Sequence, residues 1–167
     1  SSTSRGLGDV YKRQTIYSGN GCIGAQQQNM YNMLLSDFDT VLLSGVDIPQ
    51  LTHNIIDKAV QRRDHDQFVI GPANDGGYYL FGGSKRLSKN MFTRVNWNRS
   101  NTLEQLESIM LSKLFKLPNL TDTDKFTDLY ELKAEMPSGM NQYQEKIMHW
   151  INYNFIKIRQ NGIADSK

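Results

Sequence analysis

Three short stretches of this sequence hold carboxylates in settings where they could do chemistry. The first is LLSGVDIPQL, residues 42–51, in which Asp47 follows an apolar run and precedes Pro49. A carboxylate just past the carboxyl end of a buried strand sits where open α/β sheets bind ligands. There it can hold a divalent cation against phosphate oxygens. The same pattern also reads as a turn leading into a helix. The second stretch is GPANDGGYYLFG, residues 71–82, where Asp75, Gly76 and Gly77 separate two apolar runs. The paired glycines permit positive φ and a close approach of backbone to a ligand. Asp-Gly is equally a two-residue hairpin signal. Tyr78 and Tyr79 follow on a strand, so one is expected in the core and the other at the cleft. The third stretch is LTDTDKFTDL, residues 120–129, with Asp122, Asp124 and Asp128. It fails as a calcium loop, because Thr127 and Lys133 stand where glycine and glutamate are required. Acids at a helix start are the competing reading.

These carboxylates need elements to carry them. Residues 15–24 read as a glycine-rich loop, followed by a helix at 25–35 with Met30, Met33 and Leu34 as its apolar stripe. The run at 40–45 is short and almost wholly apolar, which predicts a strand central in a parallel sheet. Thr52 caps a helix at 53–63 whose inner face is Ile55, Ile56, Ala59 and Val60. Residues 64–66 form a loop, and a strand follows at 67–70. Strand, helix, strand at this spacing is a crossover unit. A further strand is expected at 78–81 and a helix at 102–114 with Leu103, Leu106, Ile109 and Met110 inward. A short strand at 115–117 and helices at about 123–133 and 141–159 complete the chain. Alternating helices and short apolar strands predict an α/β sandwich.

Composition narrows the class. The chain has 167 residues, 38% of them apolar, enough for one domain with a real core. Its single cysteine, Cys22, allows no internal disulfide and fits a reducing cytoplasm. No apolar run approaches the ~20 residues of a membrane span. Residues 4–14, SRGLGDVYKRQ, back-translate to an adapter and transposon end used in sequencing-library preparation, so residues 1–14 are set aside as foreign. Removing Arg5, Lys12, Arg13 and Asp9 takes nineteen basic and seventeen acidic residues to sixteen of each. A neutral remainder gives no basis for nucleic-acid binding. His53, His65 and His149 lack metal-ligand spacing, and Cys22 lacks a nucleophile's partner signature.

Taken in order, the stretches carry a resemblance. Gly45, Asp47, Pro49 and Leu51, then the run 71–80, then Trp97, then Asp122, Asp124, Asp128 and Leu129, resemble a bacterial family of glycosyltransferase-like proteins. That family belongs to the nucleotide-diphospho-sugar transferase superfamily, and the resemblance runs from about residue 19 to 129. It implies a three-layer, Rossmann-like GT-A sandwich with a mostly parallel central sheet. The family's first strand and basic nucleotide-gripping loop have no counterpart here, so the chain reads as an inactive fragment. On this reading residues 15–135 belong to the transferase domain and 136–167 form a helical extension.

The resemblance also implies chemistry. Asp47 and Asp124 would hold Mg²⁺ or Mn²⁺ against a nucleotide diphosphate, with Asp122 as the fallback ligand. Asp75 would orient or deprotonate an acceptor hydroxyl. Gly76, Gly77, Tyr78, Pro49 and Trp97 would contact substrate. The partners implied are a nucleotide-sugar donor and a small-molecule or glycan acceptor. One departure stands out: Gly24 is followed by Ala25 and Gln26, where the family has an acid and an arginine. Two other functions fit the same fold. A nucleotidyltransferase would add a glycine-rich loop with a lysine or arginine, and a non-catalytic binding protein would need no metal.

Overall fold

The computed structural model describes residues 17, 19–62, 68–110 and 114–164. Residues 1–14 and the loop at 64–66 lie outside that set. Five helices and four strands are described: α1 (Ile23–Leu34), β1 (Val41–Ser44), α2 (His53–Gln61), β2 (Phe68–Pro72), β3 (Tyr78–Gly83), α3 (Thr102–Met110), β4 (Leu114–Lys116), α4 (Asp128–Glu135) and α5 (Gln142–Ala164). A 3-10 turn, Phe92–Arg94, precedes α3.

The strands form one sheet in the order β1-β3-β2-β4. β3 pairs antiparallel with both β1 and β2, and β2 pairs parallel with β4. The mostly parallel sheet read from the sequence is therefore corrected to a mixed one. The cause is local. The turn at Asp75–Gly76 folds β3 straight back, and β3 inserts between β1 and β2, which run the same way and are joined through α2. This also moves β1 from the expected centre to an edge of the described sheet. Ser44, at its end, is exposed.

The two faces of the sheet bury different clusters. Phe68, Ile70 and Phe81 face Tyr31 of α1, Phe92, and Leu106 and Met110 of α3. Tyr31 meets Phe81 edge-on, with centroids 5.3 Å apart. Val69, Tyr79 and Leu80 face the other way, onto Ala59 of α2, Ile48 and Leu117. Each fully buried side chain of this size contributes roughly 1.5–3 kcal/mol. Helices on both faces of one sheet make three layers.

One irregularity sets the site. Gly71 pairs with Leu80 but Pro72 pairs with Tyr78, so Tyr79 is an extra residue in β3. Pro72 has no N–H to offer the ladder, which makes the slip inexpensive there. The bulge turns Tyr79 and Leu80 to the same face. Tyr78 is thereby aimed at α1, while the Tyr79 hydroxyl donates to the Pro118 carbonyl at 2.9 Å.

Several element limits differ from the sequence reading. The fully buried stripe of α1 is Gly24, Gln28 and Tyr31; of the expected residues Leu34 packs on the core from its edge, Met30 is half-buried and Met33 is exposed. Gln28 can sit inside because it donates to Ser88 O at 2.8 Å and accepts from Phe92 N at 2.9 Å. Thr52 caps α2 as expected, accepting from Ile55 N. α3 ends at Met110, and Leu114 belongs to β4 rather than to the helix. α4 begins at Asp128, later than expected, because the Asp128 carboxylate accepts from the amides of Asp124 and Lys125 and holds them in a turn. α5 packs on α4 through Leu129, Leu132 and Ile151. Asn141 and Gln144 form a reciprocal cap at its start. No helix among the described residues is long and apolar enough to cross a membrane.

Candidate functional site

The turn between β2 and β3 is the hairpin that its Asp-Gly pair signals. It is a tight reversal, with Gly76 N donating to Ala73 O and Ala73 N to Gly77 O. It also presents Asp75 at a cleft. The Asp75 Oδ1 accepts from the Gly77 amide at 2.7 Å, which fixes the carboxylate over its own turn. Gly76 has φ +88°, and a Cβ there would stand 1.8 Å from the Ser100 carbonyl oxygen. Leu103 N donates to Gly76 O at 2.9 Å. The first turn of α3 therefore rests directly on this glycine, and only glycine allows it.

A cleft of about 230 Å³ opens beside the turn. Asp75, Gly77, Tyr78, Trp97, Asp122 and Asp124 line it, together with Gln27, Arg99 and Thr102. The Tyr78 hydroxyl donates to Gln27 Oε1. Burial raises the Tyr78 phenol well above its ordinary range, although the Gln27 hydrogen bond works the other way, so it stays protonated. Trp97 lies edge-on to Tyr78. Its indole N–H is spent on the Phe92 carbonyl at 2.9 Å, leaving the ring as an apolar wall. Gly24 makes room for that ring, since a Cβ there would lie 2.1 Å from the indole nitrogen. A second cavity, about 340 Å³, adjoins along Ile23, Gln27 and Tyr78 and runs under α1 to Leu43 and Gly45.

Two expected substrate contacts lie elsewhere. Gly76 and Pro49 do not line the acidic cleft. Gly76 seats α3, and the Pro49 carbonyl accepts from Gln144 Nε2 of α5 at 2.9 Å.

Asp47 does not line the acidic cleft either, but its backbone is joined to the loop that does. Thr123 N donates to Asp47 O at 3.1 Å, which pins the loop after β4 to the loop after β1. Asp122 registers all of these neighbours. Its carboxyl is raised above the ordinary value first by burial and then by the negative charges of Asp75, Asp124 and Asp47. Among the described residues, no lysine or arginine forms an ion pair with any of the four.

The loop carrying Asp122 and Asp124 is held from both sides. Asn74 N donates to Leu120 O, and Asn74 Nδ2 to Thr121 Oγ1 at 2.6 Å. From α4, Glu135 accepts the Thr121 amide and hydroxyl, both at 2.8 Å, and Glu131 lies 3.1 Å from the same hydroxyl oxygen. Gln50, three residues past Asp47, is 1% exposed and donates to Glu135. The sequence reading missed these supports. One signal was available, since Glu131 and Glu135 stand four apart and share a helix face. Asp128 separates from the other two acids, as it holds the turn before α4 while Asp122 and Asp124 line the cleft.

The donor set fits a hard divalent cation. The negative charges of Asp75, Asp124 and Asp47 raise the Asp122 carboxyl, and a cation would relieve that repulsion. Gln50 Oε1 and Thr123 Oγ1 are buried at the junction without hydrogen-bond partners. Among the described residues, no three His, Cys, Asp or Glu side chains gather into a metal cage. Mg²⁺ and Mn²⁺ in phosphate-handling sites need none, being bound by one or two carboxylates plus substrate oxygens and water.

Comparisons with known proteins bear on the family and the fold. Residues 12–99, over half of the chain, match a family model described as "Uncharacterized protein conserved in bacteria (DUF2064)". The matched span holds Asp47, Asp75 and Trp97 and stops short of Asp122. The fold is similar to the crystal structure of a "putative nucleotide-diphospho-sugar transferase" from Desulfovibrio desulfuricans G20, with 27% identity and a TM-score of 0.70. That likeness covers 86% of this chain and 64% of the other, so the chain spans less than two thirds of its neighbour's length. No curated protein matches the chain.

Proposed function

Since the chain belongs to the family of uncharacterized proteins conserved in bacteria (DUF2064), we propose that the protein transfers a sugar from a nucleotide-diphosphate donor to an acceptor hydroxyl, with Mg²⁺ or Mn²⁺. The observation that carries this reading is one cleft lined by Asp75, Asp122 and Asp124, with Asp47 tied to the same loop. The solved neighbour, whose description names a nucleotide-diphospho-sugar transferase, supports the same class.

Asp47 and Asp124 would hold the cation, with Asp122 beside them. The bound cation would neutralise the diphosphate as it leaves. Asp75 sits across the cleft on a rigid turn. One of its oxygens is engaged by Gly77 N, and the other is left for the acceptor hydroxyl. In the transfer, the acceptor oxygen bonds to the anomeric carbon, the bond to the diphosphate oxygen breaks, and the hydroxyl proton passes to Asp75. Tyr78 and Trp97 supply the wall against which a sugar ring packs, and the protonated Tyr78 hydroxyl holds Gln27 in place. The lone thiol of Cys22, exposed and unpaired, suits a cytoplasmic reaction.

The test is to incubate the full-length protein that contains this chain with a panel of nucleotide sugars, with and without Mn²⁺, and to follow nucleoside diphosphate release and binding heat. Metal-dependent binding of one nucleotide class supports the reading. No binding of any donor in Mn²⁺ would sink it. Pyrophosphate release from a nucleoside triphosphate and a sugar phosphate would replace it with nucleotidyl transfer.

A further inference from the structure

Two loops supply the acidic site, and one carboxylate outside it touches both. Glu135, in the last turn of α4, accepts the Thr121 amide at 2.8 Å and the Thr121 hydroxyl at 2.8 Å. It also accepts Gln50 Nε2 at 2.9 Å. Thr121 directly precedes Asp122, and Gln50 lies three residues after Asp47. Both are buried, at 3% and 1% exposure. Gln50 Nε2 additionally reaches the Thr121 carbonyl, so the three residues close a compact ring of hydrogen bonds.

We propose that Glu135 is a positioning residue that sets the spacing between the Asp47 loop and the Asp122–Asp124 loop. The inference rests on the metal-dependent reading of the cleft. Its physical basis is donor arithmetic. An ionised carboxylate accepts only and has room for about four hydrogen bonds. Here it receives three, from a backbone N–H, a hydroxyl and an amide. Hydrogen bonds to a charged acceptor are roughly twice as strong as neutral ones. The two loops are thus drawn toward one point, and the Thr123 to Asp47 bond lies just beyond it.

Glu131 is the internal contrast. It stands one turn earlier, 3.1 Å from Thr121 Oγ1, whose single proton goes to the nearer Glu135, and it accepts from Asn74 Nδ2 at 3.5 Å. It grips the second loop and the hairpin turn, with no bond to Gln50. If any carboxylate on α4 merely stabilised the loop, the two would be equivalent. If spacing between the loops is what matters, only Glu135 controls it.

The experiment compares Glu135→Gln with Glu131→Gln. Glutamine keeps the shape but places an NH₂ among three donors, so at least one loses its acceptor. Two readouts are taken: amide hydrogen exchange of Thr123 in metal-free protein, and Mn²⁺ affinity by electron paramagnetic resonance. Glu135→Gln should speed Thr123 exchange by about tenfold, the worth of roughly one hydrogen bond. Amides of β2 and β3 should keep their protection. Mn²⁺ affinity should fall by about 10–100-fold, as for other lost supports of metal ligands. Glu131→Gln should leave both readouts near the parent values. Unchanged Thr123 exchange in folded Glu135→Gln, or equal losses in both variants, would overturn the proposal. Should Glu135→Gln fail to fold, Gln50→Ala probes the same clamp from the other loop, and unchanged Thr123 exchange there overturns it as well. A parent protein that binds no Mn²⁺ would end the metal reading, while the exchange data would still decide the role of Glu135.

Discussion

The Thr123 amide donates to the Asp47 carbonyl at 3.1 Å, so the loop that ends β1 and the loop that follows β4 are joined backbone to backbone. Asp122 and Asp124 flank Thr123 and line the cleft that Asp75 faces from the hairpin. Side chains distant in sequence thus meet through a main-chain bond that no side-chain substitution removes directly. Single carboxylate replacements can therefore probe chemistry with little loss of fold.

In the full-length protein, Asp47→Asn and Asp124→Asn should each abolish metal-dependent turnover while leaving the melting temperature within a few degrees of the parent. Both keep side-chain shape and remove one unit of negative charge from a site with no described cation partner. The loss of Mn²⁺ affinity should exceed the about 10–100-fold typical of residues that only support ligands. Titration with Mn²⁺ checks this. Parent affinity in either variant would remove that aspartate from the metal site.

In the full-length protein, Asp75→Asn should lower kcat by about 10²–10⁴-fold with a much smaller change in KM, the signature of a lost base. The turn should survive, because asparagine retains an oxygen to accept the Gly77 amide now held at 2.7 Å. Steady-state kinetics decide the matter. Turnover at the parent rate would leave Asp75 as a turn residue alone.

Much of this arrangement was legible in the sequence, and the reasons differ element by element. The acidic residues stood in stretches whose glycines and prolines forced sharp local geometry, so their placement at loop ends could be read. The sheet's direction could not. Asp-Gly signalled a hairpin, but nothing local says that the returning strand will insert between β1 and β2. Gln28 hid the true stripe of α1, because an amide with two backbone partners is as buried as a leucine. Gln50, Thr121 and Glu135 were invisible for the same reason. Each is polar, and only long-range hydrogen bonds explain the burial of Gln50 and Thr121 and their tie to the half-buried Glu135.

Gly76→Ala should destabilise the fold by at least about 2 kcal/mol, combining left-handed backbone strain with a steric clash. For a chain of this length that is roughly 4–8 °C in melting temperature. The clash is with the Ser100 carbonyl, which is backbone and cannot swing aside. Thermal denaturation monitored by circular dichroism tests it. An unshifted transition would mean that α3 does not rest on the hairpin as described.

Asp122 carries a pH-dependent penalty. Burial, then the carboxylates of Asp75, Asp124 and Asp47, raise it above its ordinary value of 3.8. The folded chain therefore holds this proton more tightly than the unfolded chain does. Stability from that proton is complete below 3.8 and is lost as pH rises through the higher folded value. At neutral pH, with no cation bound, the ionised Asp122 works against folding. Asp122→Asn is neutral at every pH and should melt above the parent at pH 7 in a chelating buffer. The difference should close as the pH is lowered toward the unfolded value. The site is partly open to solvent, so the gain is modest. Saturating Mn²⁺ should reverse the order, because the parent gains binding energy that the variant has given up. A variant that melts below the parent at pH 7 without metal would show that Asp122 is held by favourable partners, and that the four carboxylates do not repel one another.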